Sequence, residues 1–206
     1  MPYQNRVDSF GKLHANSSRG MFMGNRGGCF HRADKTLMPT HWRTQQWIIC
    51  VLDFKGRHRE IMSPGRYTEL FFLDEATALA AGHRPCFECQ RVRATAFRDA
   101  LIRSGALHDG GRAGDMDRLI AMDVQRRLRG EDEADIVSAS DLPDGSMFEK
   151  HGRAFLKWKG KACAWSFEGY GPAEPLLDRV VRLTPTATLS ALAAGYTPDV
   201  HRSLSS

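Results

Sequence analysis

The sequence has no apolar run approaching the length of a membrane span, which argues against a helical transmembrane protein. Its opening, MPYQNRVDSFGK, has no apolar segment of the kind that directs export. Cysteine is scarce and odd in number, five in 206 residues. The expectation is therefore reduced thiols in the cytoplasm and no disulfide framework. Also missing are an HExxH pair, an HNH-like pattern, a visible catalytic triad, and a Walker or Rossmann glycine fingerprint. Familiar hydrolytic and nucleotide-binding chemistries thus have no local signature here.

What is present is a globular composition, 42% hydrophobic and 26% charged. The length suffices for one good core or two small ones. Charge is unevenly spread. Residues 1–70 carry 11 Lys and Arg against 5 Asp and Glu, whereas residues 131–206 carry 8 against 11. An N-terminal positive excess suits an anionic partner, nucleic acid first, or is simply a solvated basic surface.

The most informative stretch runs from Leu73 to Arg91, LDEATALAAGHRPCFECQR. Asp74 can cap a helix by accepting N–H bonds from its first turn. Alanine and leucine carry that helix to Gly82, a residue suited to a left-handed C-terminal stop, and Pro85 cannot continue it. Cys86 and Cys89 follow in a C-x-x-C knuckle, whose spacing lets both sulfurs bind one tetrahedral zinc. A thioredoxin-type redox pair is the weaker reading, because the cysteines follow a helix instead of opening one.

Around this stretch the chain reads as α+β. Gly24 to Gly28, GNRGG, is expected to be a loop, and its N–H groups beside Arg26 could cradle a phosphate. Cys29 and His31 are candidate metal ligands or an ordinary thiol and imidazole. Trp47 to Phe54 and Arg57 to Met62 suggest a hairpin turning at Lys55-Gly56, with Tyr67 to Phe72 a third strand. Val92 to Ser104 has helical spacing. A further helix capped by Asp115 would bury Met116, Leu119, Ile120, Val124 and Leu128 and show Arg118, Arg126, Arg127 and Arg129 outside. An acidic linker places a boundary near 130–140, giving a basic knuckle-containing lobe (1–130) and a second lobe (131–206).

The second lobe reads as a small antiparallel meander near 146–149, 153–159 and 161–167, with Phe155, Trp158 and Trp165 as core or ligand-facing aromatics, core being favoured by their alternation. GYGPAEP (169–175) is expected to be a loop. A last helix starts with Thr184 as cap and Pro185 as first residue. It ends in ALAAGYTP (191–198), six of whose eight residues match ALAAGHRP (78–85). The two are either a duplicated helix stop or two solutions to one capping problem.

Glu75 to Arg91 resembles the C-terminal half of the zinc-binding domain of the Ada alkylation-repair proteins, with Gly82, His83, Arg84, Pro85, Cys86, Cys89 and Gln90 in matching order. In that family a C-x-x-x-C pair upstream completes a four-cysteine zinc site, and its first thiolate accepts a methyl group from DNA. This sequence lacks that upstream pair, so the methyl-acceptor chemistry is not carried over. The resemblance implies zinc, with Cys50, 36 residues before Cys86, as third ligand. A fourth would come from His31, His58, Cys29 or His83.

The leading functional expectation is a zinc-supported nucleic-acid-binding protein, DNA before RNA, contacting phosphates through Arg26, Arg57, Arg59, Arg66 and Arg84. Trp42 and Trp47 could stack on bases or pack in the core. The alternatives are a metal-dependent hydrolase or nuclease, with Glu69, Asp74, Glu75 or His83 beside a metal-bound water, and a structural partner-binding protein using the meander.

Overall fold

The computed structural model describes residues 1–56, 60–131 and 133–205. Arg57 and Arg59, expected to contact nucleic acid, and His58, a candidate ligand, lie outside the described residues.

The protein is α+β, with two six-stranded sheets separated by helices. The first sheet contains β1 (Gln4–Val7), β2 (Leu13–Ala15), β3 (Phe22–Arg26), β4 (Trp47–Val51), β5 (Leu70–Phe72) and β6 (Arg84–Pro85), in the order β2-β1-β5-β3-β4-β6. Helices α1 (Glu75–Ala80), α2 (Arg91–Arg103) and α3 (Ala113–Arg129) belong to the same half. The second sheet holds β7 (Ile136–Val137), β8 (Met147–Lys150), β9 (Arg153–Trp158), β10 (Lys161–Ser166), β11 (Gly169–Glu174) and β12 (Val180–Arg182), followed by α4 (Thr186–Ala193).

Helix α1 is the wedge between the sheets, and all six of its residues are buried. Ala78 and Leu79 join the core of the first sheet, while Ala76 and Ala80 join that of the second. A helix buried all round must be apolar or satisfied all round. Its acidic cap, Asp74, and its first residue, Glu75, meet that condition by hydrogen bonding. Asp74 caps the helix, accepting from Thr77 N at 2.9 Å, and also accepts from Tyr170 Oη at 2.8 Å and His201 N at 3.0 Å. Glu75 pairs with Arg93 and accepts from Tyr196 Oη and from Asp199 N.

The two ALAAG segments share one geometry. His83 N donates to Ala78 O and Gly82 N to Leu79 O; Tyr196 N donates to Ala191 O and Gly195 N to Leu192 O, each at 3.0 Å. Both are Schellman stops. Gly82 and Gly195 take φ of 82° and 94°, where an L side chain is strained. Helix α4 then packs back onto the first half of the chain, its Ala187, Ala191 and Leu192 lying in the first core with Phe97 and Leu101 of α2.

Several expectations need correction. Gly24 lies inside β3, where an added Cβ would come 2.2 Å from Ile48 O, so the turn is confined to Gly27 and Gly28. Residues 169–174 form strand β11, not a loop. The last helix begins at Thr186, whose N–H is capped by Asp123 Oδ2 from α3 at 2.9 Å; Thr184 Oγ1 instead accepts from Met147 N. Leu119 is exposed, and Arg127 turns inward to donate to Leu183 O and Ala80 O.

Candidate metal centre

Alternation along β4 decides which residues face the site. Trp47 and Ile49 are buried in the core, so Ile48 and Cys50 project from the opposite face of the sheet. Strand β6 pairs in parallel with β4, Ile49 opposite Pro85, and Cys86 N donates to Ile49 O at 2.9 Å. That pairing sets the knuckle beside Cys50. Gln90 Nε2 reinforces it by donating to the same carbonyl at 2.8 Å, while Gln90 N closes the turn on Cys86 O.

The sulfurs of Cys50, Cys86 and Cys89 all lie within 4.8 Å of one another. Metal–sulfur bonds of about 2.3 Å in a tetrahedron require sulfurs about 3.8 Å apart, so closing on an ion takes a shift of about 1 Å or less. Cys86 is buried and the other two are half-buried. No disulfide joins them.

The protonation pattern fits a shared thiolate. Hydrogen bonds from Cys50 and then Cys89 push the Cys86 thiol far down, supported by the backbone N–H groups of Cys89 and of Glu88, the latter at 3.4 Å. Cys50, donating to Cys86, is pushed up. At Cys89 the bond with Cys50 pulls down, while the bond with Cys86, burial and the Cys86 charge together carry it up. The three thiols thus share their protons through mutual hydrogen bonds, and a divalent cation can replace those protons.

This cluster forms one wall of a cavity of about 470 Å³. Met23, Ile48 and Phe71 line it from the open face of the first sheet, together with Leu52, Phe54, Ile61, Asn25 and Tyr67. Glu69 and Glu88 also line it, with Glu69 Oε2 held by Met62 N at 2.8 Å.

The other candidate ligands lie elsewhere. His31 does not join the three thiols: its ring shares a 2.8 Å hydrogen bond with Thr68 Oγ1 and lies against Cys29 Sγ. His83 is fully buried between Trp47 and Phe72, held neutral by burial and by the Arg26 charge. Among the described residues no fourth His, Cys, Asp or Glu completes the cluster.

The expected phosphate contacts also divide. Arg66 is exposed. Arg84 is 2% exposed and forms a two-bond pair with Asp117 at 2.8 and 3.1 Å. Arg26 is fully buried, donating to Gly11 O at 2.9 Å and His83 Nε2 at 3.3 Å and stacking on Trp47. Neither buried guanidinium can reach a phosphate without unfolding its surroundings. Trp47, 1% exposed, packs in the core and does not stack on bases.

Burial first, and the Arg127 charge next among the lowering causes, push the Arg26 guanidinium below its ordinary value, against a partial pull upward from Asp8.

Comparison with family models, with curated proteins and with solved structures finds no match for this chain. Fold and site together define an α+β protein with a three-thiol centre able to hold a metal. Among the described residues, no helix is long and apolar enough to cross a membrane.

Proposed function

We propose that this is a zinc protein in which Cys50, Cys86 and Cys89 hold the ion and its remaining coordination position faces the adjoining cavity, so that the metal meets a ligand there. The convergence of three sulfurs on a cavity wall carries this reading. A purely structural zinc is closed by four protein ligands, whereas a working zinc keeps one position open. Soft thiolates favour zinc over magnesium or calcium, which take oxygen ligands. The resemblance of Glu75–Arg91 to the Ada-type zinc domain supports the same metal and the same knuckle.

Purified protein should contain about one zinc per chain by elemental analysis, and Cys86→Ser should lose most of it while Cys29→Ser retains it. Zinc-free folded protein would overturn the proposal.

Nucleic-acid binding, DNA before RNA, stands second. It rests on the 11-to-5 charge balance of residues 1–70 and on exposed Arg66, with Arg26 and Arg84 withdrawn into the interior. Salt-dependent retention on DNA measures it.

A further inference from the structure

We infer, building on the zinc reading above, that the cavity takes a small organic thiol with an apolar body, whose sulfur completes the metal's coordination. Two independent features of the site converge on this class.

The first is the donor set. Three thiolates on a divalent ion carry one net negative charge and supply soft ligands only. The ligand such an ion accepts most readily is another soft donor. A thiol that binds loses its S–H proton to solvent, displaces the water that would fill the open position and forms a zinc–sulfur bond, so atoms and charge balance without an oxidant or reductant. Coordination holds the bound sulfur as thiolate at neutral pH, the nucleophilic form.

The second is the cavity. At about 470 Å³ it lies within the range of small-molecule sites. The strand alternation that aims Cys50 at the cavity also aims Ile48 there, and Met23, the cross-strand partner of Cys50, is paired on its other side with Phe71. The apolar row Phe71–Met23 therefore leads directly to the thiol cluster. A ligand whose sulfur reached the metal would lay its carbon skeleton on these side chains, removing apolar surface from water. An alcohol of the same shape would find the same wall but a poorer bond to the metal.

The experiment is calorimetric titration of the zinc-loaded protein with 2-phenylethanethiol, 2-phenylethanol and 2-mercaptoethanol, repeated in buffers of different ionisation enthalpy. The phenyl thiol should bind about tenfold or more tighter than either comparator, with about one proton released per thiol bound. In cobalt-substituted protein it should also strengthen the sulfur-to-metal absorption. Ile48→Trp, which fills the cavity beside Cys50, should keep its zinc and lose thiol affinity by about tenfold. Equal affinity for thiol and alcohol, or for the two thiols, would overturn the inference, as would binding without proton release. One zinc per chain with no thiol binding would overturn it while leaving the zinc reading intact; protein that takes up no zinc would overturn that reading instead. The wild-type series decides the matter even if Ile48→Trp fails to fold.

Discussion

Removing the metal should lower the midpoint of thermal unfolding by on the order of 10 °C. A ligand present at about a thousand times its dissociation constant stabilises the folded state by about 4 kcal/mol. For a chain of this size each kcal/mol moves the midpoint by about 2–4 °C. The structure says why the effect should be global. Strand β6 has only two residues, and the knuckle after it is fixed by Cys86 N and Gln90 Nε2 on a single carbonyl of β4. Without a metal, only thiol hydrogen bonds join the three sulfurs at the point where β4, β6 and α2 meet. Melting the protein with and without a strong chelator is the measurement, with Cys86→Ser as the metal-free reference and Cys29→Ser as control. Coincident curves for chelated and untreated protein would show that the thiols contribute nothing through a metal.

The knuckle was legible because every signal in it is local: an acidic cap, an alanine-rich run, a glycine stop, a proline and two cysteines within 19 residues. Cys50 was reachable only through the resemblance, since the contact that delivers it is a strand pairing 36 residues apart in sequence. Its face could have been read from WIICV, where Ile48 and Cys50 alternate with Trp47 and Ile49. Charge misled for a different reason. A count of arginines carries no information on burial, and Arg26, Arg84 and Arg127 turned out to serve interior carbonyls, an imidazole and Asp117. Strand β11 was hidden by its Gly169, Gly171 and Pro172, but it lies at the edge of its sheet, where proline is tolerated. Thr184-Pro185 has the local form of a helix start, yet the working cap, Asp123, comes from another helix.

Asp74→Ala should cost about 4 kcal/mol or more, a loss large enough to leave part of the protein unfolded. The carboxylate is fully buried and accepts four bonds: Thr77 N and Oγ1, Tyr170 Oη and His201 N. Alanine removes the acceptor and strands buried donors from the helix, the second sheet and the C-terminal segment together, which is where large single-residue effects arise. Asparagine tests the charge separately. Its oxygen can keep both Thr77 bonds, and the Tyr170 hydroxyl can rotate to accept from the new amide. The His201 N–H cannot reverse its role, so it is left facing a donor. Burial holds Asp74 above the ordinary carboxylate range despite those four bonds, so the ionised form is already costly and the neutral amide should lose less than alanine, about 1–3 kcal/mol. Denaturant midpoints of the two variants, read beside hydrogen exchange at the His201 amide, separate these effects. If alanine costs less than about 1 kcal/mol, or if His201 keeps its protection in both variants, then Asp74 is only a helix cap.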